Sequence, residues 1–204
     1  MGISLRKEIM KKDEEVDLLG VDPTLHKVFV GLGWEAPETK DGHPVDIDAS
    51  AFILNREGKV RRDTDFIFYN NLETDSGVIQ HMGVNTTGEK KEGDTEDAEV
   101  IKVALDTLAF DVEKVAFSVT IHNADDRQQN FGVVKNAYMR VVNADTGAEL
   151  ARFDLTEDAS SDNAMIFGEL FREGLGWKFK AMGVGSKGGL FEIARNYGVN
   201  VAPP

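Results

Sequence analysis

The chain has 204 residues, 41% of them hydrophobic, enough to bury a normal core, so it is not disordered throughout. Its 36 acidic residues against 23 basic ones leave a formal net charge of -13, which argues against gripping nucleic acid by its phosphates or docking on an anionic membrane. It has no cysteine, which excludes disulfides, thiolate nucleophiles, zinc–thiolate sites and iron–sulfur clusters.

Residues 1–22 carry mixed charges with little periodicity and no apolar stretch of the signal-peptide type. They predict a loose arm or short helix ahead of a single domain over residues 23–204. No apolar run approaches the roughly 18 residues that span a bilayer, so the expected product does not cross a membrane and resides in the cytoplasm. From His26 to Trp34 the sequence alternates and is rich in β-formers. After a loop with Asp41-Gly42 and Pro44, Asp48–Asn55 reads as a second strand and Asp65–Asn70 as a third, with Gly77–Gly83 a candidate fourth. Val84–Glu99 then loses all apolar periodicity and becomes rich in Gly, Thr and acidic residues, the mark of a long loop. Strand signal resumes at Glu99–Leu105 and Lys114–Asn123. Two hairpins follow, one turning at Ala144–Gly147 and one at Gly174–Gly176. Gly188–Gly198 switches to helical spacing, with Leu190, Ile193, Ala194 and Tyr197 on one face. Around nine or ten short strands with few helices predict a mainly β fold: a β-sandwich of two packed sheets with short peripheral helices, one of them C-terminal. The loops of such a fold cluster at its two ends, where distant acidic segments can meet.

Two acidic stretches stand out. Asp46 and Asp48 occupy positions i and i+2, which share a face on a strand, and Ser50, Phe52 and Leu54 continue that row into apolar territory. A hard cation would relieve the repulsion between two carboxylates so placed. The pattern also fits aspartates that cap a turn or line a solvated rim, and spacing alone does not choose. The long loop adds Asn85, Thr87 and the Gly88 carbonyl, then Asp94, Glu96, Asp97 and Glu99, four carboxylates within six residues. Ca²⁺ takes six to eight oxygens of this mixed kind. The loop lacks EF-hand spacing, and Lys90 and Lys91 in its middle also suit a plain flexible loop. Asn70 and Asn71 could supply further amide oxygens. The four histidines, His26, His43, His81 and His122, are scattered, without HExxH spacing. A divalent-metal hydrolase would have to find its base in His81 or His122. Gly183–Gly189 lacks the spacing of a phosphate loop and reads as a hinge before the last helix. Thr120–Gly132 is a polar segment between strands.

Seven blocks in order resemble the TerD family, the tellurite-resistance and stress-response proteins of bacteria. They are VGLGWE, DIDASAFIL, DFIFYNN, HMGVNTTGE, VTIHNADDRQQNFG, AYMRVVNADTGAELARFDL and MIFGELFREGLGWKFKAMGVG, spread over roughly residues 25 to 195. The resemblance implies a β-sandwich, Ca²⁺ as the cofactor, no catalytic activity, and partner proteins from stress operons at the inner membrane surface. It implies ligands at Asp46 and Asp48 and in the segment Asn85 to Glu99. Three positions depart from the family pattern: Val84 stands where Asp is usual, Ala98 replaces a second Asp, and Glu35 replaces an Asp after Trp34. Losing two carboxylates implies a calcium site lost, weakened or rebuilt on Asp94 or Glu96. In a metal-free form the chain would remain an interaction module.

Overall fold

β-Branched and aromatic residues alternating between turns fold here as strands, because each run offers one apolar face to a pleated surface. The computed structural model describes residues 9–35, 45–84, 97–155 and 161–202. Among them are β1 (Glu15–Asp17), β2 (Lys27–Glu35), β3 (Ile47–Leu54), β4 (Phe66–Ile67), β5 (Ile79–Val84), β6 (Glu99–Ala104), β7 (Lys114–Ile121), β8 (Lys135–Asn143), β9 (Glu149–Asp154), β10 (Ala164–Glu173) and β11 (Gly176–Ser186). Three short α-helices accompany them, α1 (Leu18–Val21), α2 (Ala124–Arg127) and α3 (Gly189–Asn196), besides single 3-10 turns. The strands form a six-stranded sheet of order β1-β11-β10-β7-β3-β4 and a five-stranded sheet of order β5-β6-β2-β8-β9. The expected sandwich with a C-terminal helix is the observed fold.

The described residues form two cores. The larger lies between the sheets, where Val28, Val30 and Leu32 of β2 and Ile101 and Val103 of β6 meet Ile47, Ala49, Ala51 and Ile53 of β3 and Phe117 of β7. The smaller lies on the outer face of the six-stranded sheet, where Phe52, Leu54, Phe66 and Ala116 are covered by Ile193 and Ala194 of α3 and by Val199. Phe66 stacks on Phe52 at 4.6 Å and on Phe68 at 4.3 Å, and Tyr197 tilts over Phe52 at 4.9 Å. So β3 is buried on both faces, and the row Asp46-Asp48-Ser50 runs out of the outer core, not out of the space between the sheets.

Two local expectations need correcting. The strand expected over residues 65–70 shrinks to Phe66–Ile67. Asp65 turns inward and accepts bonds from Arg61 Nε at 2.8 Å and Nη2 at 2.9 Å. Beyond Ile67, the N–H of Phe68 bonds the Asn71 carbonyl at 3.0 Å and the N–H of Asn71 returns to the Phe68 carbonyl at 2.9 Å, so the chain reverses over Tyr69 and Asn70. The N-terminal segment, expected as an arm or short helix, also contributes a strand. β1 pairs with β11 through Glu15↔Lys180, Val16↔Phe179 and Asp17↔Lys178. Upstream, the Met10 N–H bonds the Arg152 carbonyl of β9 at 2.8 Å. The segment therefore joins the edges of both sheets, and Leu18 of α1 is fully buried in the main core.

Candidate metal centre

The antiparallel ladder of β3 explains the opening at its acidic end. The His122 N–H donates to the Asp46 carbonyl at 2.8 Å, and the register continues Ile47↔Ile121, Asp48↔Thr120, Ala49↔Val119. Bonding partners alternate along such a pair, so the odd-numbered residues of β3 turn their backbone groups the other way, toward β4. β4 reaches only Ala51 and Phe52. Above it the edge of β3 is open, and the Ala49 N–H needs another acceptor.

Glu99 supplies it. The side chain enters from β6, is 1% exposed, and accepts the Ala49 N–H on Oε2. His81 Nε2 of β5 lies 3.5 Å from the same oxygen. His81 Nδ1 accepts the Gly83 N–H at 3.1 Å, which leaves the ring proton on Nε2, facing the carboxylate. The other oxygen, Glu99 Oε1, is buried and has no hydrogen-bond partner among the described residues. Burial, with the Asp48 charge adding to it, raises the Glu99 carboxyl above its ordinary range, although His81 and Ala49 pull it down. Asp48 is raised as well, first by burial and then by Asp46, against His122 and His81. Asp46 is exposed at the rim. The donor type is that of a hard cation: the carboxylates of Asp46, Asp48 and Glu99 belong to the same end of β3, and one Glu99 oxygen is buried without a hydrogen-bond partner among the described residues.

Asp97 goes elsewhere. Alternation from Glu99 would turn it inward, yet it lies over the outer face of β2, where a Cβ on Gly31 would stand 2.2 Å from its Oδ2. Oδ1 accepts from the Tyr138 hydroxyl at 3.0 Å and from Arg140 Nε at 2.8 Å, and Oδ2 accepts from Arg140 Nη2 at 2.9 Å. The Tyr138 ring covers Gly33 and carries the Arg152 guanidinium 4.0 Å above its centre. Burial first, then the Asp97 charge, pushes the Tyr138 hydroxyl up to about 12.

Of the remaining candidates, Asn71 Nδ2 donates to the carbonyls of Phe66 at 2.7 Å and Thr64 at 3.3 Å, which fixes the turn after β4, and Asn70 is exposed at its tip. That turn sits beside the acidic end, because Tyr69 meets the His122 ring edge-on at 6.5 Å. Asn85, Gly88, Asp94 and Glu96 lie outside the described residues. Val84, just before that segment, pairs with Glu99 in the β5–β6 ladder. Among the described residues no three His, Asp or Glu side chains come together closely enough to hold an ion. A cleft of about 350 Å³ opens next to Asp48, lined also by Tyr69, Thr120, His122, Asp125 and Asn163. His122 Nδ1 stands 3.9 Å from Asp48 Oδ2 there, beyond hydrogen-bond range.

Sequence reasoning weighed His81 only as the base of a hydrolase, and singled out neither Tyr138 nor Arg140. Ile79 and His81 share a parity, as do Glu99, Ile101 and Val103, so a β5–β6 hairpin that paired His81 with Ile101 would have put the histidine on the same face as the glutamate, one step along. The signal for the other two was Gly31 and Gly33 inside a strand, a spacing that marks neighbours crossing close to the backbone.

A model of the TerD domain matches residues 6–197. The tellurium resistance protein TerD of Alcaligenes sp is 50% identical over 193 residues, 95% of this chain and 98% of that one. General stress protein 16U of Bacillus subtilis is 46% identical over 94% of this chain and 98% of its own. The crystal structure of a homologue of telluride resistance protein from Streptomyces coelicolor superposes with a TM-score of 0.66 at 21% identity, covering 83% of this chain and 95% of that one, which supports the fold.

Proposed function

The chain belongs to the TerD family, alongside tellurium-resistance and general stress proteins, and we propose that within it this protein works by binding Ca²⁺ and assembling with partners, not by catalysis. The observation that supports this reading is Glu99: a buried carboxylate with one oxygen lacking a partner among the described residues, close enough to Asp48 for their charges to interact, as Asp48 is to Asp46. Burying an unpaired charge costs several kcal/mol unless an ion or donor compensates it. Asp46, Asp48 and Glu99 would hold the ion together with oxygens of Asn85, Gly88, Asp94 and Glu96, and amide oxygens of Asn70 and Asn71 are close in the chain to the same end. All-oxygen donors without thiolate favour Ca²⁺ over softer metals.

When bound, the ion neutralises these carboxylates. Asp46, Asp48 and Glu99 then tie the acidic segment to the end of the sandwich, and the surface so formed recruits other stress-response proteins in the cytoplasm, at the inner membrane. No helix among the described residues is long and apolar enough to cross a membrane. The test is a calorimetric Ca²⁺ titration of metal-stripped full chain against the Asp46→Asn, Asp48→Asn double variant and Glu99→Gln. Wild type is expected to bind and both variants to lose most affinity; equal affinity in all three proteins would overturn the ligand assignment.

A further inference from the structure

We propose that Arg140, with Tyr138, is a positioning residue for the calcium site, and that Asp97 is its anchor on the acidic segment and not a ligand. The inference rests on the calcium reading above. Both oxygens of Asp97 are engaged: Oδ1 by Arg140 Nε at 2.8 Å and the Tyr138 hydroxyl at 3.0 Å, Oδ2 by Arg140 Nη2 at 2.9 Å and Nε at 3.2 Å. A carboxylate in a two-point grip with guanidinium, 6% exposed, is committed to that partner, and turning it toward an ion would break strong charge-assisted bonds.

The grip crosses a strand. Sheet order runs β6-β2-β8, so Asp97, just before β6, reaches Arg140 on β8 over the top of β2. Only a residue without Cβ at position 31 leaves room for that crossing. The backbone makes a second attachment, where the Ala98 N–H bonds the Leu32 carbonyl at 2.7 Å. Together these hold the last residues before β6 flat against the outer face. Two positions later the chain regains strand alternation with Glu99 turned to the opposite side, toward Ala49. Asp97 and Glu99, which an i, i+2 rule would put on one face, are thus split. One fixes the stem of the segment and the other faces the site. Outer groups that orient a metal ligand commonly carry a tenfold to hundredfold share of the affinity.

The deciding experiment titrates Ca²⁺ by calorimetry into metal-stripped full chain bearing Asp97→Asn, Arg140→Gln, both together, or Tyr138→Phe, with melting midpoints measured in chelator. Lys114→Met, which breaks a 3.0 Å pair with Glu169 on the other sheet, controls for lost stability. Asp97→Asn and Arg140→Gln should each weaken Ca²⁺ about tenfold with unchanged stoichiometry. The double variant should be no worse than the poorer single. Tyr138→Phe, which keeps the ring over Gly33, should show a smaller loss in the same direction and decides the matter if Arg140→Gln does not fold. Lys114→Met should lower the midpoint and leave affinity alone. If Arg140→Gln leaves affinity unchanged or tighter while Asp97→Asn abolishes binding, Asp97 is a ligand and the proposal is overturned. Wild-type affinity in every variant overturns it too. A wild-type chain that binds no Ca²⁺ overturns the calcium reading itself, a failure recognisable because it appears without any substitution.

Discussion

Gly31→Ala puts the grip on Asp97 to a direct energetic test. The added methyl would stand 2.2 Å from Asp97 Oδ2 and 2.4 Å from its Cγ, whereas ordinary contact starts near 3.4 Å. The carboxylate must retreat by about 1 Å, which carries its bonds to Arg140 beyond useful length. A hydrogen bond to a charged group is worth about 1.5–3 kcal/mol. The Arg140 side chain is 19% exposed, so solvent screens part of the loss. A net cost of about 2–3 kcal/mol follows, or roughly 5–10 °C in melting midpoint for a chain of this size. The assay is thermal unfolding in chelator, followed by circular dichroism. The same substitution made in an Asp97→Ala background has nothing to collide with, and removing a glycine from a strand should then be neutral or slightly stabilising. If Gly31→Ala costs as much with Asp97 truncated as with it intact, the crossing over β2 is not what the glycine is for, and the reasoning fails.

Three further outcomes are expected. Glu99→Gln should raise the melting midpoint of metal-free protein at pH 7, because the native carboxyl is held above its ordinary 4.5 and resists ionising. The native state then binds its proton more tightly than the unfolded chain; that stabilisation is complete below about pH 4.5 and is lost as pH rises through the folded value. The advantage of Gln should therefore shrink toward pH 4.5, and a pH-independent loss would contradict it. Leu18→Ala should cost about 2–4 kcal/mol in urea unfolding, since Leu18 is fully buried, whereas a side chain on a loose arm would cost almost nothing. Phe52→Ala should cost about 3–5 kcal/mol and release α3, seen as faster amide exchange at Ile193 and Ala194; protection there unchanged would separate the helix from the outer core.

The sandwich was legible because nine or ten strand runs carried apolar faces long enough to read, and two hairpins announced their turns. β1 was not: three residues flanked by charges, with only Val16 turned inward, give no period to read. The third strand was overread because Phe66 and Phe68 keep the strand parity while the chain is already turning, their stacked rings serving α3 and not a longer ladder. Asp46 and Asp48 could be singled out by spacing, but that the row leads into a second core needed α3 in place. Glu99 was grouped with Asp97 as one acidic run. Their separation depends on Gly31 and on Arg140, forty-three residues later, a long-range pairing that no local pattern contains.

The most direct test of the calcium account is the melting midpoint of metal-stripped wild-type protein with and without millimolar Ca²⁺, with Mg²⁺ as the comparison. Ca²⁺ at about 100 times its Kd should add about 2.7 kcal/mol of stability, roughly 5–10 °C, with little change in Mg²⁺. A midpoint that neither ion moves would contradict the account.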